Sequence, residues 1–216
     1  VWQSLPDAMY SAANYLKQAG WQPEEPVALA VRLPEGFDWR QARMAHRLPV
    51  AEWTAMGVQQ ADATALPVVK GRAAIVLPQG WQGPAFMVFD NFDVVMQWNR
   101  SVNYALTVAQ LAQQVAGGSA LAGQAGEAGA LSVTQLKAMQ QALNEMGLDA
   151  GAVDGMLGPR TQTAIRLYQV KYQLPVDGYP SPSMLAHIEQ SHAELAAAGK
   201  LTLAPPPTFA DPVGQP

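Results

Sequence analysis

The sequence predicts an α+β domain followed by a small all-α domain of three helices. Three observations lead there. Before residue 116, strand-like runs such as VALAVRLP (27–34) are interleaved with segments of helical spacing. Residues 117–130 read GGSALAGQAGEAGA, rich in Gly, Ala and Ser with one charge, which is the composition of a linker. Beyond it, 153-VDGMLGPRTQTAI-165 is echoed by 176-VDGYPSPSMLAHI-188. The expected organisation is a domain at 1–116, a linker at 117–130, a second domain at 131–190 and a Pro-rich tail at 191–216.

The first domain opens with a helix. Pro6 suits a first turn, Met9, Ala12, Ala13 and Leu16 recur at helical spacing, and Gly20 stops it. VALAVRLP reads as a strand. DWRQARMAHRL (38–48) and PVAEWTAMG (49–57) read as two short helices broken at Pro49. AAIVLPQ (73–79) and AFMVFD (85–90) are bounded by Gly and Pro and read as strands of a small antiparallel unit. Asn91 is expected to cap a helix over 92–98, and a further helix covers 101–116.

In the second domain Ser132-Val-Thr-Gln135 forms a capping box, with Leu136, Met139, Leu143 and Met146 on one helical face. Each Asp-Gly pair makes a tight turn, because Gly accepts positive φ. Pro159 and Pro182 follow at helix starts, where no amide donor is missed.

Composition narrows the function. Of 216 residues 49% are apolar and 14% charged, and the net charge is -4, so no basic field attracts nucleic acid or an anionic membrane. No apolar run approaches the ~20 residues of a membrane span, and the opening residues do not read as a signal peptide. Cysteine is absent, which excludes disulfides and thiolate chemistry in this chain. His46, His187 and His192 are scattered, so neither metal nor cofactor is expected.

One stretch stands out: 94-VVMQWNRSVNYALTVAQLA-112. It gathers Trp98, Asn99, Arg100, Ser101 and Tyr104 between two apolar helical segments. Asn99 offers both an amide donor and a carbonyl acceptor, and Tyr104 a ring with a hydroxyl tip. Those groups match an acetamide and sugar hydroxyls. They match helix capping and interfacial packing too, and the residues alone leave both open.

The second domain resembles the three-helix peptidoglycan-binding domain of bacterial wall enzymes. Leu136, Gln140, Leu143, Gly147, Asp154, Gly155, Gly158, Thr161, Ala164, Tyr168, Gln169, Leu174, Val176, Asp177, Gly178 and Leu185 carry the likeness. The first domain is similar to the end of the catalytic domain in lytic murein transglycosylases of the B type. There Trp98, Asn99, Ser101, Tyr104, Ala105, Val108, Leu111 and Ala112 match, as do the helix at 7–21 and the loop VRLPEGFD (31–38). The resemblance implies a lysozyme-like fold and non-hydrolytic cleavage of the MurNAc-GlcNAc β-1,4 bond, leaving 1,6-anhydro-MurNAc ends. It implies a periplasmic location, with an upstream lipid anchor as a further option.

It also implies the site residues. Asn99, Tyr104, Ser101, Trp98 and Arg100 would hold substrate, while Asp154, Gly155, Tyr168 and Gln169 would serve the wall-binding module. The family's catalytic Glu, in a helical Glu-Ser/Thr-x-x-Gly context, and its Asp-rich, EF-hand-like loop have no counterpart here. Glu24, Glu25 and Glu35 sit among Pro and Gly, and Glu52 lies on a short helix. No catalytic residue is therefore expected in this chain. The expected partners are peptidoglycan glycan strands and an N-terminal fragment of the same polypeptide. The alternative is a non-catalytic peptidoglycan-binding or scaffold protein, and a lectin-like sugar-binding module is a third reading.

Overall fold

The computed structural model describes residues 4–118, 126 and 129–201. The chain divides into two compact units, Val1–Gly126 and Glu127–Pro216.

The first unit begins with α1 (Leu5–Gln18). The Ser4 hydroxyl accepts from the Asp7 amide, Pro6 occupies the first turn, and no residue of the helix is fully buried. Five strands follow: β1 (Ala28–Arg32), β2 (Leu48–Pro49), β3 (Gln59–Gln60), β4 (Arg72–Val76) and β5 (Ala85–Val88). They form an antiparallel sheet in the order β2-β4-β5-β1-β3, with Ala28 opposite Val88, Val31 opposite Ala85 and Val76 opposite Phe86.

Side chains alternate between the two sheet faces, and both faces are covered. Ala73, Ile75, Ala85 and Met87 pack with Phe37, Val50 and Trp53 on one side. There α2 (Val50–Ala55) delivers Trp53, fully buried, whose indole nitrogen donates to the Ala73 carbonyl at 2.8 Å. Ala74, Val76, Phe86 and Val88 pack on the other side with Phe92, Val95, Leu106 and Ala109. Those last four come from α3 (Asp90–Trp98) and α4 (Val102–Val115). Gln113 donates to the Ala28 carbonyl at 2.8 Å and ties α4 to the sheet. The α+β expectation holds.

Three local expectations are corrected. Residues 38–48 do not form a helix. The Asp38 carboxylate caps a single 3-10 turn, Trp39–Gln41, and the backbone leaves it at Ala42 with ψ 82°. The chain then carries Arg47 to Asp90 and Asp93 and pairs Leu48 with Ala73, so tertiary contacts override helical spacing. Asn91 is not the cap of α3: the cap position is Phe89, and Asn91 lies inside the helix, fully buried. Its Oδ1 accepts from the Gln22 amide at 2.8 Å, and its Nδ2 donates to the Gln22 and Glu25 carbonyls, both at 2.7 Å. A buried side-chain amide is tolerated because donor and acceptor are both used.

The second unit holds three helices: α5 (Val133–Glu145), α6 (Pro159–Lys171) and α7 (Pro182–Ala197). The capping box at Ser132 and Gln135 is present in both directions. Leu136, Met139, Leu143, Ala164, Ile165, Tyr168, Leu185 and Ile188 form the core. The third correction is that α7 runs past the expected boundary at 190, so residues 191–197 are helix rather than tail. Positions 202–216 of that tail, and 119–125 and 127–128 of the expected linker, lie outside the described residues.

The echo in sequence corresponds to a repeated clamp. Gln140 accepts from the Gly155 amide at 2.8 Å through Oε1 and donates to Asp154 Oδ1 at 3.1 Å. Gln169 accepts from the Gly178 amide at 2.8 Å and donates to Asp177 Oδ1 at 2.7 Å. In each turn the aspartate also accepts from the amide two residues on, Met156 or Tyr179. Gly155 and Gly178 have φ of +77° and +73°. A buried helix glutamine thus holds each Asp-Gly turn by both of its side-chain groups.

Candidate functional site

The polar and aromatic stretch lies where α3 ends and α4 begins. Asn99 closes α3 in an extended conformation, its amide donating to the Val95 carbonyl at 3.2 Å. Its side-chain Oδ1 accepts from the Ser101 amide at 3.1 Å. Ser101 caps α4, its hydroxyl accepting from the Tyr104 amide at 3.3 Å. Two short polar residues, Asn99 and Ser101, therefore turn the chain from one helix into the next. The inner faces of both helices are apolar: Phe92, Val95, Ala105 and Leu106 are buried.

The outer face is different. Trp98 is 54% exposed and Tyr104 39% exposed, and Asn99, Arg100 and Ser101 are exposed as well. Trp98 makes an edge-on contact with Tyr15 of α1, ring centroids 5.0 Å apart. Sequence reading missed Tyr15, one of two tyrosines on a helix that buries nothing completely. With Oδ1 engaged, the Nδ2 donor of Asn99 has no partner among the described residues. The five residues thus form an exposed rim of two rings, an amide donor, a hydroxyl and a guanidinium. It can grip a neutral, hydroxyl-rich ligand by stacking and hydrogen bonding.

No carboxylate pair suited to acid-base work emerges at α3. Asp90 and Asp93 both engage Arg47, at 3.1 and 2.8 Å. Burial raises the Asp93 carboxyl above its ordinary range, Arg47 opposes the rise and Asp90 adds to it. Glu25 approaches the same corner: a Cβ built on Gly71 would stand 2.9 Å from Asp90 Oδ2 and 3.4 Å from both Glu25 carboxylate oxygens. Among the described residues no group of acidic or imidazole side chains is placed to hold a metal. Likewise no described helix is long and apolar enough to cross a membrane.

In the second unit the four expected wall-binding residues separate. Asp154 is exposed, and Val153, Met156 and Leu157 beside it are exposed too. Hydrogen bonds from the Met156 amide and from Gln140 hold its carboxyl below the ordinary range. Gly155 is fixed in its turn, where a Cβ would meet Val133 Cγ1 at 2.6 Å. Tyr168 and Gln169, by contrast, are buried. The Tyr168 hydroxyl lies 2.6 Å from His187 Nδ1 and 2.8 Å from Ser191 Oγ, and burial pushes its ionisation up to about 12. Gln169 is committed to its clamp. These two residues shape the unit from inside.

Residues 1–113 match the family model described as a transglycosylase SLT domain, which spans more than half of the chain. The chain belongs to the SLT transglycosylase family. Residues 132–188 match a second model, described as a putative peptidoglycan binding domain. Among solved structures, SltB3 from Pseudomonas aeruginosa in complex with NAG-anhNAM-pentapeptide is similar at 41% identity and a TM-score of 0.81. The same enzyme in complex with NAG-NAM-pentapeptide gives the same values. In both, the likeness covers 86% of this chain and 50% of that one, so the chain spans about half the length of this solved relative. No match was found among curated proteins. The lysozyme-like fold expected of the first unit follows from this membership.

Proposed function

We propose that this chain is the C-terminal part of a lytic transglycosylase that cleaves the MurNAc-GlcNAc β-1,4 bond of peptidoglycan without water. One glutamate would protonate the leaving oxygen and then, as a base, take the proton of the sugar's own 6-hydroxyl as that oxygen attacks the anomeric carbon, giving a 1,6-anhydro end. That glutamate would lie upstream, in the portion the relatives have beyond this chain's length. The rim of Trp98, Asn99, Arg100, Ser101 and Tyr104 would hold the N-acetylated sugars in register for it. Positioning of this kind can supply a large part of a barrier reduction. The observation that carries the reading is an exposed amide donor between two exposed rings, at the junction of helices whose other faces are core. The second unit would keep the enzyme on the wall, with the Asp154 turn as its exposed element. The setting is the periplasm, and an upstream lipid anchor would add attachment to the outer membrane.

The test is product analysis. The purified 216-residue chain should release no 1,6-anhydromuropeptides from peptidoglycan sacculi, whereas a polypeptide that includes the upstream segment should. Release by the isolated chain would place the acid within it and overturn the assignment. The full chain should also sediment with insoluble peptidoglycan, and a chain ending after residue 130 should do so less. If the native gene product has a mass near 23 kDa and no upstream coding sequence, the non-catalytic scaffold reading replaces this one.

A further inference from the structure

We infer that the first unit carries a second glycan-contacting surface, built on Trp39 and Trp81, on the face of the sheet opposite the Asn99 rim. The inference rests on the peptidoglycan reading for the identity of the ligand and on the fold for the position.

The topology separates the two sites. β1 and β5 are antiparallel with Val31 opposite Ala85, so the segment leaving β1 and the turn entering β5 emerge at the same end of the sheet. Trp39 lies in the first and Trp81 in the second, and their rings meet at 5.8 Å with an interplanar angle of 56°. Trp39 packs with the cluster that includes Phe37 and Trp53. Trp98 and Tyr104 belong to α3 and α4, which cover the other cluster.

The surface is held in place. Phe37, buried, supports Trp39 edge-on at 5.6 Å. Trp81 sits in a turn fixed by Gly80 at φ +74° and by the Gly83 amide donating to the Gly80 carbonyl at 3.0 Å. A Cβ at Gly83 would meet Gln79 Cβ at 2.6 Å, so the turn closes too tightly there for a side chain. Trp81 is nevertheless 43% exposed, a large apolar area left in water by a well-packed unit.

Polar groups frame the rings. The Trp39 indole N–H has no acceptor among the described residues. Arg40 forks onto the Asp38 carboxylate at 2.8 and 2.9 Å, and Gln82 is exposed next to Trp81. A pyranose ring presents C–H bonds on one face and hydroxyls at its edge. The electron-rich ring faces suit the former, and amide, guanidinium and indole N–H groups suit the latter. A continuing glycan strand has that chemistry.

The experiment is a titration of the full chain with a soluble GlcNAc-MurNAc tetrasaccharide, followed by the indole N–H resonances of its six tryptophans. The Trp39 and Trp81 signals should shift. Trp81→Ala should weaken the tetrasaccharide affinity read at Trp39 several-fold and leave the Trp98 response unchanged. Shifts at Trp98 with none at Trp39 or Trp81 would overturn the inference and leave the Asn99 site standing. Shifts at Trp39 and Trp81 with none at Trp98 would support the inference and count against the Asn99 site. Silence at all three would overturn both.

Discussion

Replacing Gln169 with Leu keeps most of the side-chain volume and removes the clamp on the second Asp-Gly turn. The Gly178 amide loses its acceptor at 2.8 Å, and Asp177 loses a donor at 2.7 Å. The whole arrangement is buried: Gln169 is 1% exposed and Asp177 7%. A buried amide left without a partner costs about 1–3 kcal/mol, and a hydrogen bond to a charged group contributes ~1.5–3 kcal/mol. The two losses overlap because both fall on one turn, so about 2–4 kcal/mol is expected. A unit of this size has on the order of 3–9 kcal/mol of stability in all. The substitution should therefore lower the melting temperature of the second unit by roughly 10–25 °C. Urea unfolding of the full chain, with hydrogen exchange at the Gly178 amide, reads both the global loss and the local one. Gln140→Leu should behave in parallel. Gln141→Leu, on the exposed face, should cost under about 0.5 kcal/mol. If Gln169→Leu costs no more than Gln141→Leu, the clamp is not what holds the turn.

Two further outcomes are expected. Gly178→Ala should destabilise more than Gly199→Ala, because both sit at positive φ but only Gly178 has a neighbour in the way, Arg166 Cζ at 2.8 Å from the new Cβ; equal losses by thermal melting would leave strain alone as the cause. Hydrogen bonds from Gln141 and then His192 hold the Glu145 carboxyl below its usual 4.5. A depressed carboxylate stabilises above the unfolded value and loses that contribution as pH falls through the folded one. His192→Ala should therefore flatten the stability curve below about pH 4.5, by less than ~1 kcal/mol for so exposed a pair, and an unchanged acid limb in urea titrations would count against the contact.

Much of the fold was legible because its signals are local. The capping box at Ser132, the prolines at 159 and 182 and the Asp-Gly turns each specify backbone geometry within a few residues. The strands β1, β4 and β5 were readable from apolar runs between Gly and Pro. What failed was decided at a distance. Residues 38–48 have helix-compatible composition, yet Arg47 is drawn to α3, 43 residues away, and Leu48 to β4. Asn91 looks like a cap in sequence, but its partners at Gln22 and Glu25 are supplied by the fold. Strands β2 and β3, two residues each, leave no periodicity to read. In the candidate site, Trp98, Asn99, Ser101 and Tyr104 stand out in sequence because polar and aromatic types interrupt two apolar helices. The Tyr15–Trp98 and Trp39–Trp81 contacts leave no such signal, since only the fold brings these distant rings together.

The most direct measurement compares Asn99→Ala and Asn99→Ser in the enzyme that contains this chain and its upstream segment, with turnover on peptidoglycan and melting temperature recorded for each. Serine can still accept from the Ser101 amide but presents no amide donor to a sugar. Loss of one neutral hydrogen bond is worth ~0.5–1.5 kcal/mol, up to roughly tenfold in rate. The account predicts that Asn99→Ser keeps its melting temperature and loses turnover, with Asn99→Ala losing at least as much. Full turnover in Asn99→Ser would contradict the sugar-holding role of the rim.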